Sequence, residues 1–126
     1  SYYTKGAVVA LALDLELRRR DRSLDELMRA LWERHGRTGV GVPEGGVEAL
    51  ACELGGELDI AENLYRICAA TDAAYVTPAA FGLARVRGAR NDLPGSLAAL
   101  ELVPSTSRGY PESQRLKASH QVQLPP

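Results

Sequence analysis

Two histidines and two cysteines are all the imidazole and thiol groups that these 126 residues contain. His35 and His120 are far apart and lack the H-E-x-x-H spacing of a zinc hydrolase, so the chain cannot build that site alone. Cys52 and Cys68 are too few for a disulfide framework and have no ligand spacing; they read as small buried hydrophobes. There is no G-x-S-x-G nucleophile elbow and no Walker phosphate loop. No apolar run reaches the roughly 18 residues of a membrane span, and the first residues lack the features of a signal peptide. A net charge of -1 supplies no global field for nucleic acid or anionic lipid. Partners of both kinds are therefore not expected.

What is present is ordinary for a globular domain, 45% hydrophobic and 25% charged. A first helix is predicted from about Thr4 to Arg19, apolar on every face from Ala7 to Leu13. The run Arg18, Arg19, Arg20, Asp21, Arg22 ends it, with cations that suit a helix C-terminus. Ser23 and Glu26 form a capping box for a second helix, in which Leu24, Leu27, Met28, Leu31 and His35 follow at helical spacing up to Gly36. RTGVGVP reads as a loop.

A third helix is predicted after Pro43, with Val47, Leu50, Ala51 and Leu54 as its stripe. A fourth is predicted to start near Asp59 as N-cap, with Ile60, Leu64, Ile67 and Cys68 as its apolar face. Beyond Asp72 the signal fades: the stretch around Phe81 reads as a short helix or an extended segment. From about Gly88 the chain reads as an irregular, partly disordered tail in which LPGSLAALELV forms one short helix or strand. No internal repeat is evident. The expected fold is all-α, an array of about four helices over residues 1–87 followed by an irregular tail over 88–126. An all-apolar first helix needs a missing neighbour or a self-association surface to cover it.

Tyr2-Tyr3-Thr4-Lys5-Gly6 breaks local rules. Lys5 places a cation at the positive end of a helix dipole, and Gly6 costs on the order of 1 kcal/mol against Ala. Such inconsistency is expected at functional or tightly packed positions. A tyrosine hydroxyl here can serve a developing oxyanion, or the two tyrosines can be packing residues at a helix start.

SYYTKGAVVALALDLELRRR, SLDELMRALWERHG and the stretch from Val47 to Gly55 resemble the C-terminal part of the peptidase region of the glycyl aminopeptidases, zinc metallopeptidases that usually carry a PDZ domain further on. AAFGL, Ala79 to Leu83, extends the resemblance to about Arg87; no PDZ sequence follows. The Y-x-K-G pattern also resembles the tyrosine segment of thermolysin-like aminopeptidases. That resemblance implies that Tyr3, with Tyr2 in reserve, stabilises the oxyanion in an enzyme cleaving an N-terminal glycine or other small residue. It implies a parent whose zinc and zinc-binding helix lie upstream, a peptide substrate, and a fragment that is inactive alone and packs against the rest of the peptidase chain. Members are exported or cytoplasmic, so a periplasmic or a cytoplasmic location fits. The alternative is a helical protein-interaction module or dimerisation domain without catalysis, its first helix the contact surface.

Overall fold

The computed structural model describes residues 11–36, 45–71 and 73–123. It is all-α, as expected, with seven α-helices and no strand among the described residues. The first, α1, is described over 11–18. The next are α2 (Leu24–Leu31), prolonged by a π-helical turn at Trp32–Gly36, and α3 (Gly46–Leu54). Then come α4 (Leu58–Thr71), a 3-10 turn at Ala73–Tyr75, and α5 (Val76–Ala89). The last two are α6 (Leu93–Leu100) and α7 (Tyr110–Gln123).

The predicted start of α2 holds: the Ser23 hydroxyl accepts from the Glu26 N–H at 3.3 Å. The carboxylate of Glu26 is engaged by Arg22 at 3.1 Å. On α1, Leu17 is buried and Leu13 packs beside it against Leu27, Ala30, Leu50 and Ala51, while Leu11 and Leu15 face outward. The first helix is thus apolar on both sides but buried on one. Its arginine run is occupied by ion pairs: Arg18 with Asp14 at 2.9 Å, Arg19 with Glu16 at 3.1 Å, and Arg20 with both Glu16 and Glu57.

Three expectations are corrected. The apolar face of α4 is displaced by one residue: Ala61, Tyr65 and Cys68 are buried, whereas Ile60 and Ile67 are exposed and Leu64 is only partly covered. Asp59 lies inside the helix rather than at its cap. Hydrophobicity pointed to the isoleucines because the true buried stripe contains an alanine and a tyrosine, which carry a weaker signal. Likewise α3 buries Ala49, Leu50 and Ala51 and leaves Val47 at the surface.

The stretch beyond Gly88 is not irregular, and of the two readings of LPGSLAALELV it is the helix that forms. It carries α6 and α7, and the boundary drawn at 87/88 falls inside α5. Its helix starts are legible once found: Asp92 caps α6 by accepting from the Gly95 N–H at 2.9 Å, and Pro94 sits in the first turn. A polar, serine-rich composition hid α7, which is held by its neighbours more than by its own apolar stripe.

The third correction concerns repetition. The heaviest packing joins helices that are consecutive in the chain, α2 on α3, α3 on α4, and so on to α6 on α7. Alternate helices are in register. α2, α4 and α6 begin at Leu24, Leu58 and Leu93, 34 and 35 residues apart. α3, α5 and α7 begin at Gly46, Val76 and Tyr110, 30 and 34 apart. In every one of these helices the fourth residue is buried: Leu27, Ala49, Ala61, Ala79, Ser96 and Ser113. Tyr65 and Cys68 of α4 correspond to Leu100 and Val103 at and beyond the end of α6, all buried. The repeat lies in burial and spacing, not in residue identity, so the sequence did not display it.

Five of the six fourth positions hold Ala or Ser, small side chains that let helices approach closely. The two serines satisfy their hydroxyls, Ser96 donating across to the Ala84 carbonyl of α5 at 2.9 Å and Ser113 to the Tyr110 carbonyl of its own helix at 2.7 Å. Gly82 serves the same end: a Cβ there would lie 2.4 Å from the Tyr65 ring, so α4 and α5 can close on each other only with glycine at this position.

Candidate functional site

A groove of about 570 Å³ runs between the π-helical turn after α2, the side of α5 and the start of α7. Its floor is apolar, with Tyr65 from α4, Phe81 and Ala84 from α5, Leu100 from α6 and Leu116 from α7. Arginines 34, 85 and 108, Glu33, Glu112, His35 and His120 line it. His35, predicted as a helix-end residue beside Gly36, is the polar end of the π-helical turn. The Nδ1 of His120 is buried and without a hydrogen-bond partner.

Behind the floor sits a three-residue network. Arg85 reaches Glu53 with two donors, Nε to Oε2 at 3.0 Å and Nη2 to Oε1 at 3.2 Å. The Tyr65 hydroxyl donates to the same carboxylate at 2.7 Å and accepts from Arg85 Nη2 at 3.3 Å. The Arg85 guanidinium lies 5.9 Å from the centre of the Tyr65 ring, within cation–π range. The network ties α3, α4 and α5 together and fixes the Tyr65 ring under the groove.

Its electrostatics follow from geometry. Burial, then the neighbouring Glu53 charge, holds the Tyr65 phenol well above its ordinary pKa. Burial works against the charge of Arg85, but its hydrogen bonds to Glu53 and the carboxylate's field outweigh that, and its pKa is raised. Across the groove, burial first and the Arg85 charge second pull the Arg34 guanidinium below its ordinary value.

A pH dependence results. Below about pH 10 the phenol is protonated in folded and unfolded chains alike, and the shift has no effect on stability. Above it the unfolded chain releases the proton and the folded chain keeps it, so stability falls as pH rises, by up to about 1.4 kcal/mol per pH unit. Tyr65→Phe is expected to flatten this alkaline loss while lowering stability at neutral pH by about 1–2 kcal/mol through the lost hydrogen bond to a charged group. Urea unfolding of both proteins from about pH 7 to about pH 11 checks it; parallel pH profiles would contradict it.

Sequence reasoning did not find this groove, because its polar residues come from segments read separately and from the stretch read as a tail. Burial of Cys68, and of Cys52 in part, agrees with their reading as hydrophobes. Burial also pushes the Cys52 thiol up, away from a nucleophile's range. Among the described residues no three His, Cys, Asp or Glu side chains come together as a metal site requires. Tyr3 and Tyr2 lie outside the described residues.

The spacing of about 34 residues between equivalent helices, each pair joined by a turn, is that of tetratricopeptide repeats. The family model described as protein kinase G tetratricopeptide repeat matches residues 47–124, from α3 to the end of α7. The chain belongs to this family. No curated protein and no solved structure matches it. The match overturns the resemblance to the glycyl aminopeptidases, and with it the reading of the chain as a fragment of a zinc aminopeptidase. Where the structure describes the stretches that carried that resemblance, they are amphipathic helices of a kind that many helical arrays share. The zinc and the peptide substrate were implied by it alone. In a tetratricopeptide array each helix pair contacts chiefly its neighbours, and the stack presents an extended surface for another protein; the chain's partner class is therefore protein. Among the described residues no helix is long and apolar enough to cross a membrane.

Proposed function

We propose that this chain is a protein-binding repeat module without catalysis of its own, and that the exposed apolar face of α1 and α2 is covered by a second protein surface. By its family the module serves a protein of the protein kinase G kind, as scaffold rather than as catalyst. The observation that carries this is the exposed apolar surface of the first described helices. On α7 Val122 alone of the large apolar residues stands exposed. By contrast, Leu11 is 60% and Leu15 55% exposed, one turn apart on α1, and Met28 of α2 and Trp32 of the π-helical turn repeat that spacing. Such surface is characteristic of a protein contact.

Self-association is the simplest form of the contact and the first to test. Sedimentation equilibrium of the chain is expected to show concentration-dependent association. The double variant Leu11→Glu, Leu15→Glu, with both changes at exposed positions, is expected to sediment as a monomer with unchanged helix content. A wild-type chain that stays monomeric at every concentration and binds no apolar dye would contradict the proposal.

A further inference from the structure

The groove has a charge that the protein itself does not balance. Arg85 is matched by Glu53, and Glu112 by Arg115 in a two-point pair at 2.9 and 2.5 Å. Arg108 on the lip has no ion-pair or hydrogen-bond partner among the described residues. The backbone around Arg108 is nonetheless fixed. The Ser107 hydroxyl accepts from Thr77 Oγ1 at 2.8 Å and from the Gly109 N–H at 3.1 Å. A Cβ on Gly109 would lie 2.8 Å from Thr77 Cγ2 and 2.9 Å from Phe81 Cε2, so the loop rests directly on α5. An uncompensated guanidinium carried on an anchored loop beside an apolar floor suits a carboxylate, which it can meet with two donors. A further feature points the same way. The buried, unpartnered Nδ1 of His120 borders the same space and has hydrogen-bonding capacity to offer.

We infer that the groove binds a protein segment in which an aspartate or glutamate side chain lies next to a bulky apolar one, the carboxylate meeting Arg108 and the apolar side chain lying on Phe81 and Leu116. This rests on the reading of the chain as a protein-binding module and specifies the chemistry of one partner; it uses a different surface from the α1–α2 face.

The test uses the full chain and two dye-labelled peptides blocked at both ends, identical except that glutamates flank a Phe-Leu pair in one and lysines flank it in the other. Fluorescence anisotropy is expected to show the glutamate peptide binding about tenfold more tightly or better, with the preference shrinking as salt rises. Arg108→Glu, at an exposed loop position, is expected to reverse the preference, whereas Arg19→Glu on α1 leaves it within about twofold. Equal binding of the two peptides, or a preference that survives Arg108→Glu, would overturn the inference while leaving the interaction module intact. Binding of neither peptide by a chain that still self-associates through α1 and α2 has the same consequence. Binding of neither by a chain that is also monomeric throughout overturns both.

Discussion

Replacing Tyr65 with alanine is expected to remove about 4 kcal/mol of unfolding free energy, while Ile67→Ala, two residues along the same helix, changes it by no more than about 0.5 kcal/mol. The contrast follows from where α4 faces. Tyr65 is 4% exposed, packs against Ala61, Leu83 and Leu100, and anchors the Glu53–Arg85 network, whereas Ile67 is 61% exposed. Removing the ring leaves a cavity at the junction of α4 and α5, beside a glycine too small to fill it, and deprives Arg85 of one of its partners. Against a total of about 5–15 kcal/mol for a domain, a loss of this size puts a large part of the stability at stake. Chemical denaturation of the two variants decides the register of α4. Equal losses, or a larger loss at Ile67, would show that the helix faces as its hydrophobicity suggests.

The second large effect is expected at Glu53. Glu53→Ala leaves Arg85 without its two-point partner and the Tyr65 hydroxyl without its acceptor. Breaking one side of a buried ion pair costs about 3–5 kcal/mol, because the surviving charge is stranded. Here the side chain of Arg85 is 31% and that of Glu53 14% exposed, so partial hydration reduces the loss to about 2–3 kcal/mol. The double variant Glu53→Leu, Arg85→Leu is expected to recover much of this, since it strands no charge. Thermal or urea unfolding of the three proteins forms the cycle. A double variant as damaged as the sum of its parts would mean that the residues act independently of each other.

How much of this was legible in the sequence depended on the strength of local signals. The start of α2 was readable because Ser23 and Glu26 carry a capping pattern whose chemistry is local. The helical class was readable because apolar residues recur at helical spacing through the first half of the chain. The face of α4 was misread because the structure buries Ala61 and Tyr65, a small and an amphipathic residue, in preference to two isoleucines. Only the packing of α3 and α5 on either side makes that choice. α6 read equally as helix or strand, and α7 was missed, for the same reason: Ser96 and Ser113 are core residues by position and polar by composition.

The repeat escaped notice because equivalent positions hold Leu, Ala and Ser in turn, and because one spacing is 30 rather than 34 residues. The groove lay beyond reach, since its floor and lip come from turns and helices that only the stacking of pairs assembles. The resemblance to the glycyl aminopeptidases fades near Arg87, whereas the family match runs from residue 47 to 124 and takes in α6 and α7.

The central claim is that three helix pairs in common register form one continuous stack, with α6 and α7 as full members. Native-state amide hydrogen exchange along the chain tests it most directly. The account predicts slow, cooperative exchange through residues 93–100 and over most of 110–123, in line with α4 and α5 and rising toward free rates only at the last turn of α7. Exchange at unprotected rates from Gly88 onward, with protection confined to the helices before it, would contradict it.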